Sequence, residues 1–252
     1  MDLQLEGKRA IVTGGSRGIG KAIARQLALE GADVVIAARS AGPLEVTAGE
    51  LSRETGRKII PIAADTGKED SVNRLVASAI DRLGRIDILV NNAAVPGGIS
   101  PATRLDQVVD EQVLEDINIK VVGYLRTARA LAPHLVKNGW GRIINIGGLA
   151  VHRTGRPVAT LRNVGVAAIT KNLADELGPK GINVVAVHPG ATRTERTDPA
   201  SEKALATNVS IGRIVDSSEV AWVVAFLASP RSVAINGDAI ATGGGSPGTI
   251  HY

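Results

Sequence analysis

Residues 13 to 20 read TGGSRGIG, with glycines at 14, 18 and 20 and an arginine at 17 among them. Glycines in such a run let the chain turn sharply and let a ligand lie against bare backbone. The pattern IGKAIARQLALEG follows at once, so the turn opens a helix whose free N–H groups and positive dipole end suit a pyrophosphate. A glycine-rich bend without any ligand is the plainer reading. The position after a first strand favours the dinucleotide reading, although the spacing is G-x-x-x-G-x-G rather than the commoner G-x-G-x-x-G. One strand later, ADVVIAARS ends in Ala38-Arg39, where a site for NAD usually carries an acid for the ribose 2′-hydroxyl. An arginine there suits a 2′-phosphate, and Arg17 adds a second planar guanidinium. These residues predict NADP(H) in preference to NAD(H).

Short β-branched runs must carry these loops: RAIVTG, ADVVIAA, KIIPIAA, RIDILVN, GRIINIG, INVVAVH and GDAIATGG. Between them lie helical patterns such as DSVNRLVASAIDRLG, with apolar residues three and four apart. The alternation predicts an α/β fold, a doubly wound Rossmann-type parallel sheet of about seven strands with helices on both faces. Its ligand crevice would open at the carboxyl ends of the strands. No linker divides the chain, so 1–252 is expected to form one domain, with 193–213 as a lid over the substrate.

Composition narrows the classes. The chain has 252 residues, no cysteine and a formal charge of +4, with acidic and basic residues interleaved. No disulfide framework or thiolate metal site is possible without cysteine. Aromatics at 2% leave no stacking platform, which argues against nucleic acid as a partner. The four histidines, at 134, 152, 188 and 251, show no ligand spacing, so no metal is expected. The longest apolar run, VAWVVAFLA from 220 to 228, is far short of the roughly 20 residues of a membrane span. With no export signal in MDLQLEGKRAIV, a cytoplasmic protein acting on a small molecule is expected.

The chain resembles the short-chain dehydrogenase/reductase family from its first strand to its last. The motifs that carry the likeness are TGGSRGIG, AAD ending at Asp65, NNAA at 91 to 94, Asn118, GRIINIGG at 141 to 148, HPGATRT at 188 to 194 and INGDAIATGGG at 235 to 245. NNAA departs from the family in having Ala94 where glycine is usual. The resemblance implies that Gly14, Ser16, Arg17, Gly18, Ile19, Gly20, Arg39, Thr66 and Ala93 bind the coenzyme, with Asp65 facing the adenine and Asn91 binding the coenzyme while supporting the central sheet beside it. It places Pro189, Gly190, Thr192 and Thr194 at the nicotinamide end. It also implies a homo-oligomer, a tetramer or a dimer.

The family's proton relay is missing from these positions. A serine after the fifth strand and a Tyr-x-x-x-Lys pair on the next helix face normally orient and protonate the substrate oxygen. Laid on that pattern without a gap, Gly148 stands at the serine, Leu161 at the tyrosine and Gly165 at the lysine. Asn118 remains of the family's set, with an alternative role in bonding backbone at a helix kink. His152 is the candidate replacement acid, since its unperturbed pKa suits proton transfer near neutrality; a solvated loop histidine is the alternative. Arg153, Arg156 and Arg162 could bind an anion, but Arg162 is turned about 100° from Leu161 and so off the active face. Tyr124 is expected in the core, while His251 and Tyr252 could reach a neighbouring subunit's crevice. Three functions are compatible with this pattern: an NADP(H)-dependent oxidoreductase of a small carbonyl or alcohol with a substituted proton-transfer group, an inactive NADP-binding sensor or partner subunit, and a non-redox lyase or isomerase.

Overall fold

β1 (Arg9–Thr13), β2 (Asp33–Ala38), β3 (Ile59–Ala63), β4 (Ile88–Asn91), β5 (Gly141–Ile146) and β6 (Ile182–Pro189) are the β-branched runs of the sequence. In this computed structural model, which describes residues 1–95 and 97–248, they form one parallel sheet with a last strand at Ala239–Thr242. The order along the sheet is β3-β2-β1-β4-β5-β6 and then that last strand. The strands of the middle are buried on both faces, and the few polar residues in their mostly apolar runs, such as Arg142 and Asn145, are buried with them. His251 and Tyr252 lie outside the described residues.

Helices cover both faces. α1 (Gly18–Leu29) and α2 (Ala41–Thr55) pack on one side with the late helix at Ser217–Ala228; their core includes Ile23, Leu27, Leu44, Val220 and Val224. α3 (Glu69–Leu83) packs on the other, with Leu75 and Ala79 against Ile11 and Leu89. A second long helical stretch on that side has three parts: α4 (Asp110–Ile117), a wide π-type turn at Asn118–Val122, and α5 (Gly123–Asn138). An extra residue in a turn of this kind rotates the helix phase, and such bulges often mark functional sites. α6 (Pro157–Leu177) completes the layer, begun by a proline in its first turn, where the missing N–H costs nothing.

The segment after β6 forms a two-residue strand, β7 (Thr192–Arg193), then α7 (Pro199–Ala206), then β8 (Val215–Asp216), which pairs with β7. Arg193 ties these pieces together by bonding Glu202 and Asp216. α8 (Ser217–Ala228) and β9 (Ala239–Thr242) follow. Among the described residues no helix is long and apolar enough to cross a membrane, and no group of three His, Cys, Asp or Glu could hold a metal ion.

The strand order reverses between β1 and β4: the chain leaves β1 for β2 and β3 on one side and returns to β4 on the other. The loops after these two strands therefore diverge, and a crevice opens between them.

Candidate functional site

A cavity of about 640 Å³ fills this crevice. Its floor is the turn after β1. Gly14 has φ +68°, and a Cβ on Gly20 would lie 2.1 Å from the Gly14 carbonyl oxygen, so bare backbone is required where α1 meets the turn. The Thr13 hydroxyl accepts the N–H groups of Asn92 and Ala93 at 3.0 and 3.1 Å, and the Asn92 amide donates to the Thr13 and Gly14 carbonyls at 3.1 and 3.2 Å. The turn is thereby pinned to the end of β4.

Gly14, Ser16, Arg17, Gly18, Ile19, Gly20, Arg39, Asp65, Thr66, Ala93, Pro189, Gly190, Thr192 and Thr194 all line this one cavity. Arg17 and Arg39 are exposed at its mouth. The Asp65 carboxylate accepts the Gly67 N–H at 3.0 Å and shapes its own turn. Asn91 supports the sheet as expected, but its place among the coenzyme-binding residues is corrected, since it does not line the cavity. Its side chain is fully buried behind the cavity, where it donates to Asn145 Oδ1 at 2.9 Å and accepts from the Thr127 hydroxyl at 2.6 Å. It braces the sheet, and Asn92 is the asparagine that reaches the cavity.

An anion already sits at the start of α1. The Gly18 N–H donates to both carboxylate oxygens of Glu195, at 3.0 and 3.2 Å, and Glu195 also lines the cavity.

On α6 the ungapped register is overturned. Leu161 is 52% exposed on the outer face, and Gly165 packs against Val121, where an added Cβ would meet Cγ2 at 3.0 Å. The residues that α6 turns into the cavity are Ala159, Arg162 and Asn163. The pair four apart that faces the crevice is therefore 159 and 163, two positions earlier than the pattern laid without a gap, so the connection after β5 is shorter by two residues. Arg162 is corrected with it. It is buried, not turned away, and its Nη1 donates to Asp116 at 3.0 Å and to the Val95 carbonyl at 3.3 Å.

Neither side chain expected to carry catalysis lies in the cavity wall. Asn118 donates to the Gly67 carbonyl at 3.5 Å and accepts from Arg126 at 2.7 Å, and so holds the π-type turn in place. His152 is exposed and meets the ring of His188 edge-on, with centroids 6.3 Å apart. Arg153 bonds Ser246, whereas Arg156 lines the cavity and donates to the Gly97 carbonyl at 3.1 Å. Tyr124 is in the core as expected, donating to the Ile146 carbonyl at 3.0 Å.

The cavity wall holds instead a cation that the motifs do not announce. Lys120, in the π-type turn, is buried with its Nζ 2.9 Å from the Gly147 carbonyl and 2.9 Å from Asn163 Oδ1. Burial and the nearby Arg162 guanidinium push its pKa down to about 7, against the pull of Asp116. Gly147 and Gly148 beside it are closely packed and leave little space for a side chain. A Cβ on Gly147 would lie 2.0 Å from His188 Nδ1, and one on Gly148 would come within 3.3 Å of Asn163 Oδ1. The signal for Lys120 was in the sequence: a lone lysine among Ile119, Val121 and Val122 is an unusual charge in an apolar stretch.

Comparison with known proteins agrees with this architecture. Residues 8–205 match the family described as short chain dehydrogenase. The chain is 34% identical over 248 residues to the 3-oxoacyl-[acyl-carrier-protein] reductase FabG of Vibrio harveyi, covering 96% of this chain and 98% of that one. Among solved structures it superposes on L-sorbose reductase from Gluconobacter frateurii, complexed with NADPH and L-sorbose, with a TM-score of 0.92 at 28% identity over 99% of this chain and 100% of that one. The 3-ketoacyl-(acyl-carrier-protein) reductase from Brucella melitensis, complexed with NADH, gives 0.88 at 33% identity over 96% and 99%. Sheet order, crevice and matched residues together make this chain a member of the short-chain dehydrogenase/reductase family.

Proposed function

We propose that the protein is an NADP(H)-dependent oxidoreductase of a small carbonyl or alcohol substrate, working with a proton-transfer group other than the family's tyrosine. The observation that carries this reading is the anion site at the Gly18 N–H, filled by the Glu195 carboxylate, with Arg17 and Arg39 on the same cavity wall. A helix start that takes a carboxylate in this way suits a pyrophosphate, and the crowding at Gly20 shows a backbone built without side chains at that point. The two guanidiniums supply charge and donors for a 2′-phosphate, and the Asp65 carboxylate in the same wall is engaged by its own turn. When bound, the coenzyme supplies the hydride equivalent that the side chains here cannot. The protein's part is to hold it, orient the substrate beside it and handle the proton.

The relatives support the reaction class, since their names describe reductases and their solved structures carry NADPH or NADH. The experiment is a fluorescence titration of NADPH and NADH against the wild type and Arg39→Ala, followed by turnover on a carbonyl panel. NADPH is expected to bind more tightly, with the preference lost in the variant. Equal affinity for both, or none for either, refutes the coenzyme assignment.

A second reading, a nucleotide-binding protein without turnover, rests on the absence of a hydroxyl at Gly148 and Ala159. Tight NADPH binding with no conversion across the panel would select it. Conversion in nucleotide-free protein would select the non-redox reading. The assembly we propose is a homo-oligomer, supported by exposed Leu114 and Leu125 along the α4–α5 stretch and Leu105 in the turn before it, and checked by light scattering.

A further inference from the structure

We infer that Lys120 is the proton donor to the substrate oxygen, an ammonium supplied by the π-type turn in place of the absent tyrosine–lysine pair. This rests on the oxidoreductase reading and adds the identity of its acid.

The geometry is that of a held donor. Two Nζ protons of Lys120 are directed at fixed acceptors, the Gly147 carbonyl and Asn163 Oδ1, each at 2.9 Å. Asn163 cannot flip away, because its Nδ2 donates to the Ala159 carbonyl at 2.8 Å, one turn back on α6. The third Nζ proton has no acceptor among the described residues, and the side chain lines the cavity that also holds Gly148, Ala159 and the Pro189-Gly190 turn. Ala159 and Asn163 occupy the inward pair of positions four apart. With no phenol at the first and an amide at the second, the ammonium at this point comes from across the cleft.

A purely structural lysine explains less. Burying an ammonium is costly unless it is paired, and the one carboxylate near it, Asp116, is engaged by Arg162 and by the Ile99 N–H at 3.2 Å. A methionine would fill the same volume without that cost. The charged groups facing Lys120 are Asp116 on α4, Arg162 on α6 and His188 on β6, while the Tyr124 phenol on α5 is held neutral by burial. Burial first, and then the Arg162 cation set against the Asp116 carboxylate, leave the ammonium easy to deprotonate near neutrality, where His188 is neutral; this suits a general acid.

The step balances. The substrate carbonyl carbon receives the electron pair and hydrogen that NADPH carries, the carbonyl π pair moves onto oxygen, and that oxygen takes a proton from Nζ. Alcohol, NADP⁺ and a neutral Lys120 amine result, and water reprotonates the amine. Oxidation of the alcohol runs the same transfer backwards, with the neutral amine as base.

The test has one arm without turnover. Ligand-free protein carrying isotope-labelled lysine is titrated by NMR, the Lys120 signal being the one missing in Lys120→Arg. A midpoint near 7 is expected; one in the ordinary lysine range near 10.5 overturns the inference. In the second arm, NADPH affinity and carbonyl reduction are followed against pH. Wild-type reduction is expected to fall as pH rises through the NMR midpoint, because the ammonium is consumed. Lys120→Arg keeps the charge and the coenzyme but cannot release a proton, so turnover drops by about 10²–10⁴-fold with NADPH binding retained. Asn163→Asp adds a carboxylate against Nζ and raises the NMR midpoint whatever the role of the lysine; the turnover midpoint is expected to rise with it, which a merely structural lysine would not produce. A Lys120→Arg protein that reduces substrate at the wild-type rate with the wild-type pH profile overturns the inference and leaves the oxidoreductase reading intact. A wild type that binds no dinucleotide removes both.

Discussion

The Glu195 carboxylate and the Gly18 backbone N–H, 177 residues apart in sequence, are hydrogen-bonded at the first turn of α1. The contact joins the segment after β6 to the glycine turn after β1, and it puts a negative charge where a dinucleotide phosphate would lie. Coenzyme and Glu195 then compete for one donor. Glu195→Gln, which removes the charge, is expected to tighten NADPH binding by about two- to fivefold, the scale of a charge at a helix end. Fluorescence titration at low ionic strength checks it. Unchanged or weaker binding would mean that the carboxylate does not stand in for phosphate.

The sheet and its glycine turn were legible because their causes are local. β-branched runs at regular spacing dictate strands, and Gly14, Gly18 and Gly20 dictate the bend wherever the chain places it. The chemistry on α6 was not legible in the same way. Its face toward the crevice depends on how many residues lie between β5 and the helix, and a shortening of two residues swaps Leu161 for Ala159 and Gly165 for Asn163. A helix turns 100° per residue, so two residues carry a position from inside to outside. Lys120 escaped for a related reason: its inward direction comes from the π-type turn at Asn118–Val122, which no periodicity in the sequence marks.

That register makes a direct prediction about restoring the family's relay. The triple substitution Gly148→Ser, Leu161→Tyr, Gly165→Lys should add no activity to that of the wild type, because residue 161 points outward. It should also destabilise the fold by about 1–3 kcal/mol, since a lysine stem at 165 collides with Val121. Gly148→Ser with Ala159→Tyr, Asn163→Lys and Lys120→Asn places hydroxyl and ammonium in the cavity and avoids two adjacent cations. Carbonyl reduction by the second set and none gained by the first is the expected result, and a gain from the first set alone would refute the shortened connection.

Arg162 and Asp116 form an ion pair that is nearly inaccessible, with side chains 8% and 2% exposed. Removing one buried partner leaves the other charge uncompensated. Asp116→Asn is therefore expected to lower the unfolding free energy by about 3–5 kcal/mol, measured by urea denaturation. The same change withdraws the one acid that holds the Lys120 pKa up, so the pH above which carbonyl reduction falls should move lower. A variant as stable as the wild type would show that the pair is solvated in solution.

His188 gives the fold a dependence on acid with a definite sign. The Gly148 N–H donates to its Nδ1 at 3.1 Å, so the ring's own proton sits on Nε2, in a buried position with no partner among the described residues. Protonating Nδ1 would break that bond and place a charge in a buried site facing His152 and Lys120, which together with burial pushes the pKa down to about 4. An unfolded chain titrates near 6.5 instead. Between these two values the unfolded state binds a proton that the folded state refuses, so stability falls as pH is lowered through this window, at up to about 1.4 kcal/mol per pH unit. The lowered carboxylates, such as Glu219 at about 2, lose their contribution in a more acidic range. His188→Asn keeps an acceptor for Gly148 and removes the titration. Its unfolding free energy, measured by denaturant at pH 4.5, 5.5 and 6.5, should vary less steeply than that of the wild type; parallel curves would show that the imidazole is free to take up a proton in the fold.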